Sequence, residues 1–218
     1  MKKIVMVVMV SLFFVGTASI AQATVISGSS GVATLSGLVL GALPATPDAT
    51  VSYTFDLSDS QVLPALGTVT QNVYLNQTTE GVTGVLYTYK ITRYPGVGST
   101  LGVGRFSARN FSETSKVSTD YASNDAGNVD PVSVSRTSGG TFYFDWALAD
   151  IIDDGDVSKM FFIQSDLPYY KVGNFSLLGD GTNDFVGFAP TATPEPGTVA
   201  LFSTGLLGLL GFRRKRLV

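Results

Sequence analysis

Residues 51–57, "VSYTFDL", decide how the rest of the chain is read. Val51, Tyr53, Phe55 and Leu57 fall on one side of an extended backbone, and Ser52, Thr54 and Asp56 on the other. Successive side chains of a strand point to opposite faces, so this period of two predicts a half-buried strand. The same pattern recurs outward from it. "GTVTQNVYLN" (67–76) aligns Val69, Val73 and Leu75, and "GVLYTYKITRY" (84–94) aligns Val85, Tyr87, Tyr89 and Ile91 with Lys90 turned outward. "TFYFDWALA" (141–149) aligns Phe142, Phe144 and Trp146, and "KMFFIQS" (159–165) and "YKVGNFSLL" (170–178) continue in the same style. Between these runs lie Gly- and Asp-rich turn signals: "YPGVGS" at 94–99, "SNDAGN" at 123–128, "SGG" at 138–140, "DDGD" at 153–156 and "GDGTND" at 179–184. No apolar stripe of helical period persists beyond about two turns. Many short strands with polar turns predict an all-β body, an antiparallel β-sandwich of the jelly-roll or Greek-key kind.

Three segments do not follow the pattern. Residues 107–130, "SARNFSETSKVSTDYASNDAGNVD", are polar and weakly patterned, and are expected to form a long loop or a mobile edge. Residues 24–44 are small and apolar, suiting either a first strand or a loose lead-in. Residues 189–193, from "APTATP", are expected as a short stiff linker. The body is therefore read as 24–188, with no internal repeat.

The two ends have a different composition. Lys2 and Lys3 precede a 12-residue apolar run, Ile4 to Val15, broken only by Ser11, and small residues follow up to Ala21-Gln22-Ala23. This is the layout of a secretory signal peptide, residues 1–23, with Ala21 and Ala23 forming the signal peptidase site and Thr24 the new N-terminus. At the other end, residues 198–212 are uncharged and would rise roughly 22 Å as a helix, short of the ~30 Å hydrocarbon core but able to span with snorkelling or local thinning. Arg213, Arg214, Lys215 and Arg216 follow, so residues 213–218 are expected to stay cytoplasmic and the body to lie outside.

Charge narrows the choice of partner. The chain has 14 basic and 17 acidic residues; six of the bases (Lys2, Lys3, Arg213, Arg214, Lys215, Arg216) and one acid, Glu195, lie in the ends. Residues 24–193 therefore hold 8 bases and 16 acids. A body this acidic repels nucleic acid and anionic membrane surfaces, and favours cations such as calcium or neutral glycans. Cysteine and histidine are both absent. The fold thus forms without disulfides, and Ser-His or Cys-His nucleophile chemistry is excluded.

Pro194-Glu195-Pro196, then Gly197, a Leu/Gly-rich apolar segment and "RRKR", closely resemble the PEP-CTERM sorting signal of Gram-negative bacteria. The resemblance covers 194–218, and its three parts occur in the right order at the chain end. The two prolines keep the motif extended and accessible, and Pro196 suits the first turn of a following helix. The resemblance implies recognition of Pro194, Glu195 and Pro196 by an exosortase, a polytopic membrane enzyme. It implies passage through an inner-membrane intermediate to the cell surface or the extracellular space, often beside exopolysaccharide.

Candidate chemistry in the body is sparse. Asp150, Asp153, Asp154 and Asp156 lie within seven residues, and Asp180 and Asp184 in another turn. The EF-hand spacing fails, because with Gly155 at loop position six Ile152 falls at position three and Phe161 at position twelve. A looser calcium site at Asp153, Asp154 and Asp156 stands against the simpler reading of Asp and Gly as turn residues. Glu80 and Glu113 are the only glutamates of the body, and neither has a partner with a glycosidase signature. Ser115-Lys116 and Ser158-Lys159 are strand neighbours facing opposite ways. Tyr94, Tyr169 and Tyr170, near Pro95 and Pro168, are the aromatics best placed to meet a sugar ring. The expectation is an exported, non-enzymatic structural or adhesive component of the cell surface or biofilm matrix, needing no cofactor. The alternative is a secreted carbohydrate-binding module or carbohydrate-active enzyme, calcium-dependent or not.

Overall fold

The computed structural model describes residues 24–27, 30–56, 66–96, 102–179 and 181–194. The signal-peptide residues, Glu195, Pro196 and the segments 198–212 and 213–218 lie outside the described residues. Within them there is no helix long and apolar enough to cross a membrane. The described chain is all-β, with strands β1 (Thr24–Ser27), β2 (Gly31–Thr34), β3 (Ala49–Phe55), β4 (Gly67–Thr79), β5 (Val82–Arg93) and β6 (Arg105–Ala108). They continue as β7 (Lys116–Tyr121), β8 (Ser133–Arg136), β9 (Phe142–Asp145), β10 (Phe161–Ser165), β11 (Tyr169–Leu178) and β12 (Thr182–Thr191).

Two six-stranded sheets form, in the orders β1-β7-β10-β5-β4-β3 and β12-β11-β6-β9-β8-β2, and the strand pairs within them are antiparallel. Alternation sets which faces meet. Val69, Val73, Val85, Tyr87, Tyr89 and Ile91 of the first sheet pack against Phe106, Phe142, Phe144, Phe175 and Leu177 of the second in one buried cluster. Phe106 is the hub, with ring centroids 4.6 Å from Tyr89, 4.9 Å from Phe161 and 5.7 Å from Phe175. Offset and edge-on rings at these separations add about 0.5–1.5 kcal/mol per pair beyond their area burial.

One polar side chain crosses this core. Gln71 of β4 is fully buried and donates to the Tyr89 hydroxyl at 3.0 Å and to the Phe188 carbonyl at 2.9 Å, while its Oε1 accepts the Phe188 amide at 2.8 Å. β12 is an edge strand, and an edge leaves backbone groups unpaired. Gln71 of the opposite sheet pairs both backbone groups of Phe188.

The outer faces of the two sheets differ. Residues 35–43 run as a strap over the first sheet, with Leu38, Leu40 and Leu43 packed on Tyr74, Leu86, Ala122 and Phe162. The Leu38 amide bonds the Tyr121 carbonyl at 2.9 Å, and the Gly37 amide bonds Asp120 Oδ1 at 3.0 Å. Gly37 has φ of 76°, and a Cβ there would meet the Tyr121 ring at 2.7 Å, so only glycine lets the strap lie this close. The outer face of the second sheet carries Val172 and Val186, both more than half exposed.

Segment 107–130 corrects the expectation of a long loop. It contains β7, an interior strand between β1 and β10, with Val117, Ser118, Thr119 and Asp120 all buried. Both its faces are covered, one by the core and the other by the strap, so polarity does not alternate along it. Two of its buried polar side chains have partners, since Thr119 Oγ1 donates to the Phe162 carbonyl at 2.8 Å and Asp120 Oδ1 receives the strap, whereas the Ser118 hydroxyl is buried without one. The expected linker 189–193 is also shorter than the sequence suggests, because β12 runs through Thr191. Within residues 24–44 two short strands form, β1 and β2, and residues 35–43 form the strap.

Candidate functional site

The registers sort the connections into two ends. Thr191 lies opposite Tyr169, Ala108 opposite Phe175 and Phe142, and Phe142 opposite Arg136, so one end holds the exit of β12, the 109–115 loop and the turns 137–141 and 166–168. The opposite end holds residues 94–96 and 102–104 and the connections 122–132 and 146–160.

At the exit end Phe111 drives the 109–115 loop into the core, its ring 5.2 Å from Tyr87 and 5.4 Å from Phe142. Arg136, 4% exposed, donates to the Phe111 carbonyl at 3.0 Å, the Thr114 carbonyl at 2.7 Å and Thr114 Oγ1 at 2.8 Å. Burial lowers its basicity. Asp166 accepts the Ser115 and Lys116 amides and the Ser115 hydroxyl. Gly140, at φ of 73°, passes so close that a Cβ would run into the Phe111–Ser112 backbone.

This rigid loop presents Glu113. One carboxylate oxygen pairs with Lys171 Nζ, and the other accepts the Ala192 amide at 3.3 Å. The Lys171 ammonium foremost, with the Ala192 amide and the Thr191 side chain, holds the Glu113 carboxyl below the usual carboxylate range. Beyond Ala192 the Thr193 amide turns back to Thr191 Oγ1 at 3.4 Å. Pro194, the first residue of the expected motif, follows and is exposed.

At the opposite end the aspartates close turns. Asp156 Oδ1 accepts Asn128 Nδ2 at 2.6 Å and Oδ2 accepts the Asp153 amide at 2.9 Å. Asp153 Oδ1 accepts the Asp154 amide, and Asp154 Oδ2 the Gly96 amide. Asn128, Asp130, Asp150, Asp153 and Asp156 line an open cleft of about 560 Å³. Among the described residues no group of three or more acidic side chains is placed to hold a metal ion. The expected calcium candidates Asp153, Asp154 and Asp156 share a turn, but their oxygens accept from separate donors, the Asp154, Gly96 and Asp153 amides and the Asn128 side chain.

The sugar-facing tyrosines are not brought together. Tyr94 is 37% exposed beyond the end of β5, whereas Tyr169 is 41% exposed at the exit end, and Tyr170 packs edge-on against Phe188. Ser158 donates nothing to Lys159: its hydroxyl accepts the Ile91 amide, while Lys159 pairs with Asp130 at 3.4 Å. The sequence reading overlooked Glu113 as a tail contact, because Lys171 and Ala192 lie 58 and 79 residues away.

No curated protein and no solved structure matches the chain. Residues 192–216 match the family model of the PEP-CTERM protein-sorting motif, which begins one residue after β12 ends. Sequence, strand end and motif coincide: the chain is a PEP-CTERM domain-containing protein, and its motif implies an exosortase-sorted protein exported through the membrane to the cell surface or beyond.

Proposed function

We propose that the sandwich is the cargo of this sorting route and serves as a non-enzymatic structural or adhesive component of the cell surface or matrix, associated with exopolysaccharide. The observation that carries this reading is the abutment of fold and motif. β12 ends at Thr191 and the motif match starts at Ala192, so the tail is a handle separate from the packed body. Signal peptidase acts first on the segment ending at Ala23, giving a chain that starts at β1.

The adhesive role is supported by the side chains on the open face of the second sheet. Arg105 stacks 5.2 Å over the Tyr143 ring and pairs with Asp145, and Arg109 pairs with Asp184 at 3.4 Å and donates to Ser176 at 3.1 Å. A face of paired charges, hydroxyls and one aromatic ring suits a neutral, hydrogen-bonding polymer better than an anionic one.

Two experiments test this. Glu195→Gln, or Pro194→Ala with Pro196→Ala, should leave the tail uncut and the body in the membrane fraction; unchanged release contradicts the sorting route. Incubation of the sandwich with exopolysaccharide from the producing cells should give co-sedimentation without shortening the polymer. Depolymerisation would replace this reading with a carbohydrate-active enzyme.

A further inference from the structure

The Glu113 contact lies on the motif itself, since Ala192 is the first residue of the family match. Several features make it more than a chance surface pair. Arg136, Asp166 and the Phe111 anchor fix the loop that carries Glu113. Lys171 sits on β11, which is paired with β12 along its whole length. Glu113 therefore ties a rigid loop to the last residue of the fold and to the first of the motif. Only Thr193 separates the gripped residue from Pro194.

We propose that Glu113, held by Lys171, is a positioning residue for tail processing: it grips Ala192 so that the sorting motif leaves the sandwich from one fixed point, at the end opposite the aspartate-rich turns. The sandwich is then presented end-on to the membrane enzyme. The connections at the far end, with Asp125, Asp130, Asp150, Asp153, Asp154 and Asp156, point away from the anionic membrane surface. A body tethered by so few residues otherwise tumbles into orientations that cover the motif, and each such orientation removes productive encounters. This inference rests on the exosortase reading.

The test uses the full-length chain in cells that carry its exosortase. The conversion of tailed to processed chain is followed by intact mass after synthesis is stopped. Glu113→Gln and Lys171→Gln should each slow conversion about five-fold, on the scale of one exposed charge-assisted contact. Hydrogen exchange at the Ala192 amide of the purified chain in detergent should quicken by a similar factor. Inserting six Gly/Ser residues after Thr193 should make wild type and Glu113→Gln convert at equal rates, which a general loss of stability would not do. The proposal is overturned if Glu195→Gln blocks conversion while Glu113→Gln leaves its rate unchanged, whether or not Ala192 exchange quickens. It is also overturned if the insertion leaves the Glu113→Gln defect in place. If Glu195→Gln itself has no effect, the sorting reading fails and the positioning role with it.

Discussion

The two ends of the sandwich use charge differently. At the far end, Asp153 and Asp156 accept amides within their own turn and Asp154 accepts the Gly96 amide 58 residues away, all three bonds being exposed. At the exit end, Arg136, Asp166 and Glu113 join segments 22 to 79 residues apart in sequence. Local carboxylate–amide bonds shape a turn, and their loss is repaired by water. Long-range bonds from a buried guanidinium fix where one segment lies on another, and their loss leaves carbonyls buried without donors. The far-end aspartates thus close turns and pair with Lys90 and Lys159, while a few charges at the other end decide where the tail departs.

The contrast is sharpest in stability. Phe111→Ala should cost about 4 kcal/mol by opening a cavity between Tyr87 and Phe142, read as a lower urea midpoint. Arg136→Met should cost about 3 kcal/mol, because the Phe111 and Thr114 carbonyls lose a buried charged donor. Asp156→Asn at the far end should cost about 1 kcal/mol, since the side-chain amide keeps one of the two bonds the carboxylate accepts and loses the other at an exposed turn. Equal losses for Arg136→Met and Asp156→Asn would break the comparison.

Acid titration adds a difference of sign. Burial, against hydrogen bonds from Tyr121, Gly37 and Ser36, pushes the Asp120 carboxyl up, so the folded chain binds that proton more tightly than the unfolded one. Its ionisation costs stability as pH rises above about 3.9, the unfolded carboxyl value, and Asp120→Asn should stabilise at neutral pH with the gain vanishing in acid. Glu113 is shifted downward by Lys171, so its contribution is present above the unfolded value and fades as pH falls through its lower folded value. The pH dependence of the urea midpoint of each variant separates the two. The smallest expected effect is that of calcium: with the far-end carboxylates facing separate amide donors, millimolar calcium or a chelator should leave Tm unchanged. A rise in Tm would show that the turns rearrange around an ion.

The strands that face core on one side and solvent on the other were legible in the sequence. Val51 and Tyr53 of β3 and Phe142 and Phe144 of β9 face the core as their alternation predicts. β7 was not legible, because the strap buries its second face and Thr119 and Asp120 are paired by contacts no local pattern reveals. The last turn of chain before the motif was misread as linker for a similar reason. Ala189-Pro190-Thr191 is loop-like in composition, yet pairing with Lys171, Tyr170 and Tyr169 makes it strand. The Pro-Glu-Pro motif was legible because its parts are contiguous; the Glu113 grip was not, because it is purely tertiary.

The central claim is that a folded sandwich is exported on a tail removed just beyond it. Intact mass, measured separately on the membrane and extracellular fractions of the producing cells, tests it most directly. The account predicts an extracellular species starting at Thr24 and ending near Pro196. A species running from Thr24 to Val218, found only in membranes, would contradict it and make the tail a permanent anchor.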